Sequence, residues 1–226
     1  MAAFLEINGV SKHYGAGTAE QVKALDDVSF TANEGEWIAI MGPSGSGKTT
    51  LLNILGLLDI QTSGSYRFNG IDVAGLRDQQ RAGLRSRAIG FVFQAFHLIA
   101  HRSVLENVML SDVYRKYPRR ERKERALSAL TQVGLSRRAD YLPTRLSGGE
   151  RQRAAIARAT MGSPRVLLCD EPTGNLDSGT TASILDLFAD LNRSGLTIVT
   201  ITHEADVAQR ASRKLRIVDG RIEDPQ

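Results

Sequence analysis

The segment Gly42-Pro43-Ser44-Gly45-Ser46-Gly47-Lys48-Thr49 concentrates residue types suited to one task, the holding of phosphate oxygens. It fits G-x-x-x-x-G-K-[ST] and lies between an apolar run, Trp37 to Met41, and a helical stripe made of Leu51, Leu52, Ile54, Leu55 and Leu58. Glycines let backbone N–H groups close around phosphate, and the start of the following helix adds its partial positive charge. Lys48 is expected to reach the terminal phosphates of a nucleotide, the Thr49 hydroxyl to ligate the Mg²⁺ that accompanies them, and Thr50 to belong with the loop to the nucleotide-binding set. A Gly-rich turn can match such a pattern by chance, but chance does not supply the flanking strand and helix.

Two further segments carry chemistry. Val166-Leu167-Leu168-Cys169 is an apolar run that ends in Asp170 and Glu171, so both acids fall at the carboxyl edge of a strand. Asp170 suits Mg²⁺, which takes few protein carboxylates and keeps much of its water. Glu171 suits a general base acting on a water molecule; two ordinary solvated acids at a strand end are the plainer alternative. Leu146-Ser147-Gly148-Gly149-Glu150 precedes an Ala- and Arg-rich segment of helical character, with Ser147 at the N-cap position. Alone, this reads as a capped helix; as a second helix start it is also an anion site.

The elements that must position these residues alternate in kind. Phe4 to Val10, Val28 to Ala32 and Tyr66 to Asn69 read as short strands of an antiparallel layer. Trp37 to Met41, Ile89 to Phe93, Val166 to Cys169 and Leu196 to Ile201 read as buried strands, the last preceded by a helix with Ile184, Leu185, Leu187, Phe188 and Leu191 on one face. Strands alternating with helices imply a parallel sheet covered on both sides, with ligands at the carboxyl ends of its strands. Leu215 to Val218, the pair Asp219-Gly220 and Arg221-Ile222 predict a hairpin near the end. Between Gln94 and about Leu146 the strand pattern stops, and a helical subdomain is expected there.

With 226 residues, 42% of them hydrophobic, the chain can bury a substantial core, and its net charge of +4 is compatible with anionic ligands or a membrane surface. Cys169 has no cysteine to pair with, which suits a reducing compartment, and it reads as a small buried strand residue. Met1 to Gly9 carries Glu6 and no long apolar stretch, which argues against a secretory signal, and no apolar run is long enough to cross a bilayer. His97 and His101 are spaced i and i+4, but no nearby acid or cysteine completes a metal set. Arg115, Lys116, Arg119, Arg120, Arg122, Lys123 and Arg125 form a basic cluster interrupted by Glu121 and Glu124. The pairs Arg120 with Glu124 and Glu121 with Arg125 favour an ion-paired solvated helix, with attraction to anionic lipid headgroups as the alternative.

The Gly42 to Thr49 loop, the LSGGE segment about twenty residues before the VLLCDE strand, and His203 after the next strand resemble the nucleotide-binding domains of ABC transporters over nearly the whole chain. The resemblance implies an α/β fold, a P-loop NTPase (RecA-like) core with a parallel sheet, an N-terminal antiparallel β layer and an inserted helical subdomain. Residues 1–93 and 156–226 would form the core and β layer of this single domain, and residues 94–155 the helical part. It implies an ATPase using ATP and Mg²⁺, in which Ser147, Gly148, Gly149 and Glu150 of one copy cover the ATP held by the P-loop of a second copy. It further implies that Tyr14 stacks on adenine and that Gln94 touches Mg²⁺ or the attacking water and senses a membrane partner. Asp177, in Asn175-Leu176-Asp177, would line the dimer interface, and His203 would contact the γ-phosphate.

Ile89-Gly90-Phe91-Val92-Phe93-Gln94, Glu106-Asn107-Val108 and Glu171-Pro172-Thr173-Gly174-Asn175-Leu176-Asp177 are similar to the branch containing macrolide exporters, lipoprotein-releasing ATPases and the cell-division ATPase. That branch implies an integral membrane permease-like partner with an extracytoplasmic domain, and a peripheral position on the cytoplasmic face of the inner or plasma membrane. Gln61 departs from the proline usual before Thr62-Ser63-Gly64, in a loop with no catalytic role. The competing class, soluble ABC ATPases acting on DNA or ribosomes, carries a long coiled coil or two ATPase domains in one chain. Neither is legible here, so nucleic acid is not expected as a partner.

Overall fold

A computed structural model describes residues 3–15, 21–113, 115 and 117–223. The chain runs through β1 (Leu5–Tyr14), β2 (Val22–Ala32), β3 (Trp37–Met41), α1 (Lys48–Leu55), β4 (Ser63–Phe68), β5 (Ile71–Asp72), α2 (Asp78–Ala88) and β6 (Ile89–Phe93). It continues through α3 (Val104–Met109), α4 (Arg119–Gln132), α5 (Gly148–Thr160), β7 (Val166–Asp170), α6 (Ser178–Arg193), β8 (Thr197–Ile201), α7 (Ala205–Arg210), β9 (Arg213–Val218) and β10 (Arg221–Glu223).

The strands fall into two sheets. An antiparallel sheet has the order β2-β1-β4-β5, and a six-stranded sheet has the order β10-β9-β3-β8-β7-β6. In the second, β9, β3, β8, β7 and β6 are parallel, and β10 returns antiparallel across the turn at Asp219-Gly220. Both residues of that turn have positive φ, the conformation a tight hairpin of matching twist requires.

Alternation along the central parallel strands explains why they are so largely apolar. Ile38 and Ile40 of β3, Val166 and Leu168 of β7, and Val199 and Ile201 of β8 join one hydrophobic cluster with α1 and the antiparallel layer. Trp37, Leu167, Cys169 and Ile198, one residue out of step, join a second cluster with α3, α4, α5 and α6. β3, β7 and β8 therefore bury both faces, as the middle of a parallel sheet must, whereas β9 buries only Leu215 and Ile217 on one face. Trp37 fixes the second cluster by an edge-on contact with Phe188, centroids 6.3 Å apart, and an indole hydrogen bond of 3.0 Å to Thr200.

Two expectations are corrected. The α1 stripe does not reach Leu58: the helix stops at Leu55, Leu57 turns left-handed (φ 56°) and is buried, and Leu58 is 51% exposed. Gly56 packs so closely on the Phe91 ring that an added Cβ would lie 2.5 Å from it, and the Leu58 N–H closes the turn on the Asn53 carbonyl at 2.8 Å. The pair Glu121 with Arg125 does not form, although Arg120 and Glu124 pair at 3.1 Å. Arg125 turns inward instead, donating to the fully buried Asp112 at 2.9 Å while its guanidinium also reaches the Met161 carbonyl. His97 and His101 lie on an irregular segment, not a helix, with Phe96 and His97 both at positive φ. Lys116 of the basic cluster lies outside the described residues.

The Asp112 carboxylate also faces Arg115 at 3.3 Å, and Arg115 in turn donates to the carbonyls of Ser86, at the end of α2, and Gly162, after α5. One buried carboxylate thus organises a joint between the α3–α4 connection and the rim of the parallel sheet. Asp112→Ala removes the carboxylate that accepts from Arg125 and faces the Arg115 charge, and loss of one member of a buried pair costs about 3 kcal/mol or more. The expected outcome is a urea midpoint lowered by that amount at unchanged slope; a shift below about 0.5 kcal/mol would mean the joint carries no stability.

Candidate active site

The loop between β3 and α1 is shaped by close backbone approach. A Cβ on Gly42 would lie 2.1 Å from the Ile217 carbonyl oxygen, and one on Gly47 would lie 2.3 Å from that of Ala24. Gly47, with φ at 99°, is the N-cap of α1 and supplies no side-chain cap, so the first-turn N–H groups are left to whatever the loop holds. The Gly220 N–H donates 3.0 Å to the Ser46 carbonyl and the Asp26 N–H 2.8 Å to that of Gly220, tying the loop through the β9–β10 turn to β2. Lys48 arches back over the loop, donating to the carbonyls of Gly42 and Pro43 at 2.8 and 2.7 Å. The Ser46 hydroxyl oxygen is buried and has no hydrogen-bond partner among the described residues, while Pro43, Ser44, Gly45 and Thr49 are exposed around it and Thr50 is half-buried.

β8 lies between β3 and β7, and Ile201 of β8 sits level with both Ile40 and Asp170. Three strand ends therefore deliver the P-loop, the acid pair and His203 to one edge. Burial raises the Asp170 carboxyl above its ordinary range and the adjacent Glu171 adds to this, while Lys48 opposes it. Glu171 adopts a left-handed backbone (φ 46°), a strained state for a side-chain-bearing residue, held by its N–H donating 2.9 Å to the Ile201 carbonyl. One of its oxygens lies 2.8 Å from His203 Nδ1, and the other is buried without a partner among the described residues. The ligating atoms of Glu171, His203 and Glu204 lie within 4.8 Å of one another, and Glu204 accepts a 3.1 Å bond from the Thr173 hydroxyl.

Gln94 leaves the end of β6 and is exposed. Its amide donates 3.3 Å to Asn175, whose own amide returns 3.1 Å to the Gln94 carbonyl. Gly174 passes so close to Gln94 that an added Cβ would lie 2.7 Å from its amide nitrogen. Gln94 and the loop after Glu171 therefore form one unit.

Ser147 caps α5 as its position predicts: its hydroxyl accepts from the Glu150 N–H at 3.2 Å and its own N–H donates to the Glu150 carboxylate at 2.9 Å. The Ser147 bond and Arg138, 3.0 Å away, hold the Glu150 carboxyl below its usual range against some burial. Gly149 packs on Thr180, where a Cβ would approach within 2.4 Å, and Gly148 faces Leu176. Asp177 is the N-cap of α6, its carboxyl held low by hydrogen bonds from Thr180. No hydrogen bond among the described residues joins Ser147, Gly148, Gly149, Glu150 or Asp177 to the P-loop of the same chain. Within one chain the structure brings Lys48, Asp170, Glu171, His203 and Gln94 toward one edge and leaves the α5 start apart from it.

Sequence reasoning missed three supports of this edge. Gln152 is fully buried on α5 and donates 2.6 Å to the Pro172 carbonyl, just past Glu171. Arg158, two turns further along α5, donates to the carbonyls of Phe96 and His97, and burial lowers its proton affinity. Asp59 accepts from the Tyr14 hydroxyl at 2.8 Å. The first two bind backbone carbonyls far away in sequence, a pairing that no residue spacing announces.

The family model described as ABC transporter matches residues 25–174. The chain is 49% identical over 218 residues to the uncharacterized ABC transporter ATP-binding protein YvrO of Bacillus subtilis, covering 96% of this chain and 95% of that protein. It is 47% identical over 220 residues to the macrolide export ATP-binding/permease protein MacB of Chlorobaculum tepidum, covering 97% of this chain but only 34% of that protein. Among solved structures it superimposes on the ATP-binding cassette MJ0796, a dimer in a post-hydrolysis state bound to ADP and Pi. The TM-score is 0.89 and the identity 40%, covering 98% of this chain and 97% of that one. With its P-loop, acid pair and capped LSGGE helix assembled on the same fold, the chain belongs to the ABC transporter family as one of its ATP-binding, ATP-hydrolysing cassettes.

Proposed function

We propose that this cassette works as the motor of a membrane complex. Two copies close around two ATP molecules at the cytoplasmic face of the membrane and drive a permease-like integral membrane subunit with an extracytoplasmic domain, for export, extraction or mechanotransmission. One observation carries the reading: the α5 start, with Ser147, Gly148 and Gly149, is built as an anion site yet makes no hydrogen bond to the P-loop of its own chain. A second copy supplies the phosphate it needs, and the dimeric MJ0796 cassette supports that arrangement. The MacB relative carries a permease by name, whereas no helix among the described residues here is long and apolar enough to cross a membrane. The YvrO relative is named as an ABC transporter ATP-binding protein, which supports the same motor role.

The residues fit Mg²⁺. Asp170 is a half-buried carboxylate with raised proton affinity that accepts no hydrogen bond from a described residue, and with the Thr49 hydroxyl and the Gln94 amide oxygen it offers the hard oxygen donors this ion prefers. Bound there, the ion would supply charge neutralisation between the β- and γ-phosphates.

The remaining steps belong to the chain. Backbone N–H groups of Ser44 to Thr49 bind the phosphates, and Lys48 exchanges the carbonyls of Gly42 and Pro43 for phosphate oxygens. Tyr14 stacks on the adenine. The unpartnered oxygen of Glu171 accepts the proton of the attacking water, while His203 holds the other oxygen and orients the carboxylate. Gln94, joined to Asn175, carries the state of the phosphates toward the membrane partner, and Asp177 lies at the contact between copies.

Glu171→Gln keeps the shape and removes the base, and hydrolysis should fall by about 10²- to 10⁴-fold. The ATP-bound dimer should then persist in size-exclusion chromatography; a native-like variant that stays monomeric with ATP would refute the base or the dimer. Lys48→Ala removes a charge-assisted bond and should weaken ATP binding about 10-fold or more by calorimetry. Gly42→Ala must displace the loop from Ile217 and should abolish binding at any ATP concentration that saturates the parent chain. The reading as a whole is tested by affinity purification from solubilised membranes: an integral membrane protein should accompany the cassette, and recovery of ribosomes or nucleic acid in its place would overturn it.

A further inference from the structure

Tyr14 ends β1 with its ring 41% exposed, beside Thr50 in the first turn of α1. It is not a loose surface side chain. Its hydroxyl donates to Asp59 Oδ2 at 2.8 Å, and Asp59 Oδ1 accepts from Lys12 Nζ at 2.6 Å and from the Ile60 N–H at 2.7 Å. The Lys12 ammonium also donates 2.7 Å to the Ile60 carbonyl and lies over the Tyr14 ring, 4.9 Å from its centroid. The ring is thus gripped at its rim by a carboxylate and overlaid by a cation, while the residue stays partly exposed.

The grip has a rigid origin. Asp59 follows the left-handed turn at Leu57, where Leu58 and Asp59 N–H groups both donate to the Asn53 carbonyl of α1. Asp59 is therefore anchored to the helix that begins in the phosphate loop, and Lys12 and Tyr14 stand two apart on β1. Burial works against the Asp59 charge, but the Lys12 and Tyr14 bonds outweigh it and keep the carboxyl low, so the group is ionised and both bonds are charge-assisted.

We infer that Asp59, with Lys12, is a positioning device for the nucleotide base: it fixes the Tyr14 ring at a set height above the phosphate loop so that one ring face is presented to adenine. This rests on the reading of Tyr14 as the stacking residue. A fixed ring loses less entropy on stacking than a free one, so the gain falls on base binding and not on phosphate binding. Asp59 itself does not touch the nucleotide.

The test compares Mg²⁺-ATP with Mg²⁺-tripolyphosphate, which fills the phosphate loop and lacks the base, by calorimetry on the whole chain. Base stacking on an aromatic side chain contributes about 5-fold or more in affinity, so Tyr14→Ala should reduce the preference for ATP over tripolyphosphate by at least that factor. Asp59→Ala should reduce the same preference by about 3- to 10-fold while tripolyphosphate affinity stays at the parent value. In the Tyr14→Ala background, Asp59→Ala should have no further effect on the preference. Tyr14→Phe, which removes only the hydroxyl, should mimic Asp59→Ala and decides the question if the latter does not fold. If Asp59→Ala lowers both affinities alike, or if it and Tyr14→Phe leave the preference unchanged while Tyr14→Ala reduces it, the positioning role is wrong and the stacking role stands. If Tyr14→Ala leaves the preference unchanged, the stacking role is wrong and the positioning role falls with it.

Discussion

The register of three adjacent parallel strands is the constraint on which the rest depends. β8 lies between β3 and β7, with Ile201 level with Ile40 on one side and Asp170 on the other. The chain leaves β3 into the phosphate loop, β7 into the acid pair and β8 toward His203, so chemistry scattered over 160 positions arrives on one edge. The strands hold that register because each buries alternate residues in two different clusters. A slip by one residue would exchange Ile38 and Ile40 with Trp37, and Leu168 with Leu167 and Cys169, across the sheet. The hydrogen bond from the Glu171 N–H to the Ile201 carbonyl extends this register one residue past β7 and secures a left-handed backbone at the acid itself.

On the second face, α5 acts as a common beam. Its N-terminus carries Ser147 and Glu150, its middle reaches the Pro172 carbonyl through Gln152, and its last turns grip the Phe96 and His97 carbonyls through Arg158. Arg151 lies over the Phe96 ring, 5.1 Å from its centroid. The segment after Gln94 and the loop after Glu171 are therefore both fastened to the helix that starts at the LSGGE serine. A displacement of α5 is felt at both, because their partners are backbone carbonyls, which move only with the chain.

Much of this was legible in the residues, for physical reasons that differ by element. The parallel strands announced themselves because burial on two faces demands uninterrupted apolar runs, and the P-loop, acid pair and Ser147 cap because their geometry is set within a few residues. β1 and β2 run further than their apolar stretches, to Tyr14 and from Val22, since the outer parts are polar and broken by bulges between Ile7 and Lys12. α2 left no stripe to read: its one buried residue is Ala88. Arg125 looked like the partner of Glu121 because spacing on a helix is visible and a carboxylate thirteen residues upstream is not. The same holds for Asp59 and Tyr14, which meet only once β1 and the turn after α1 are folded together.

The short helix α1 begins at a glycine that offers no cap, and it is only eight residues long. Helices of that length are marginal by themselves and depend on what satisfies their ends. At the far end the Tyr66 hydroxyl donates 3.0 Å to the Leu55 carbonyl; at the near end no side chain among the described residues caps the helix. A polyphosphate bound there would accept from the first-turn N–H groups, and so would act on a secondary-structure element as well as serve as substrate. By mass action, ligand at a hundred times its dissociation constant adds about 2.7 kcal/mol to the folded state. Whatever fills the phosphate loop therefore stabilises the fold from the same end that performs the chemistry, so ligand binding and the folding of α1 are thermodynamically linked.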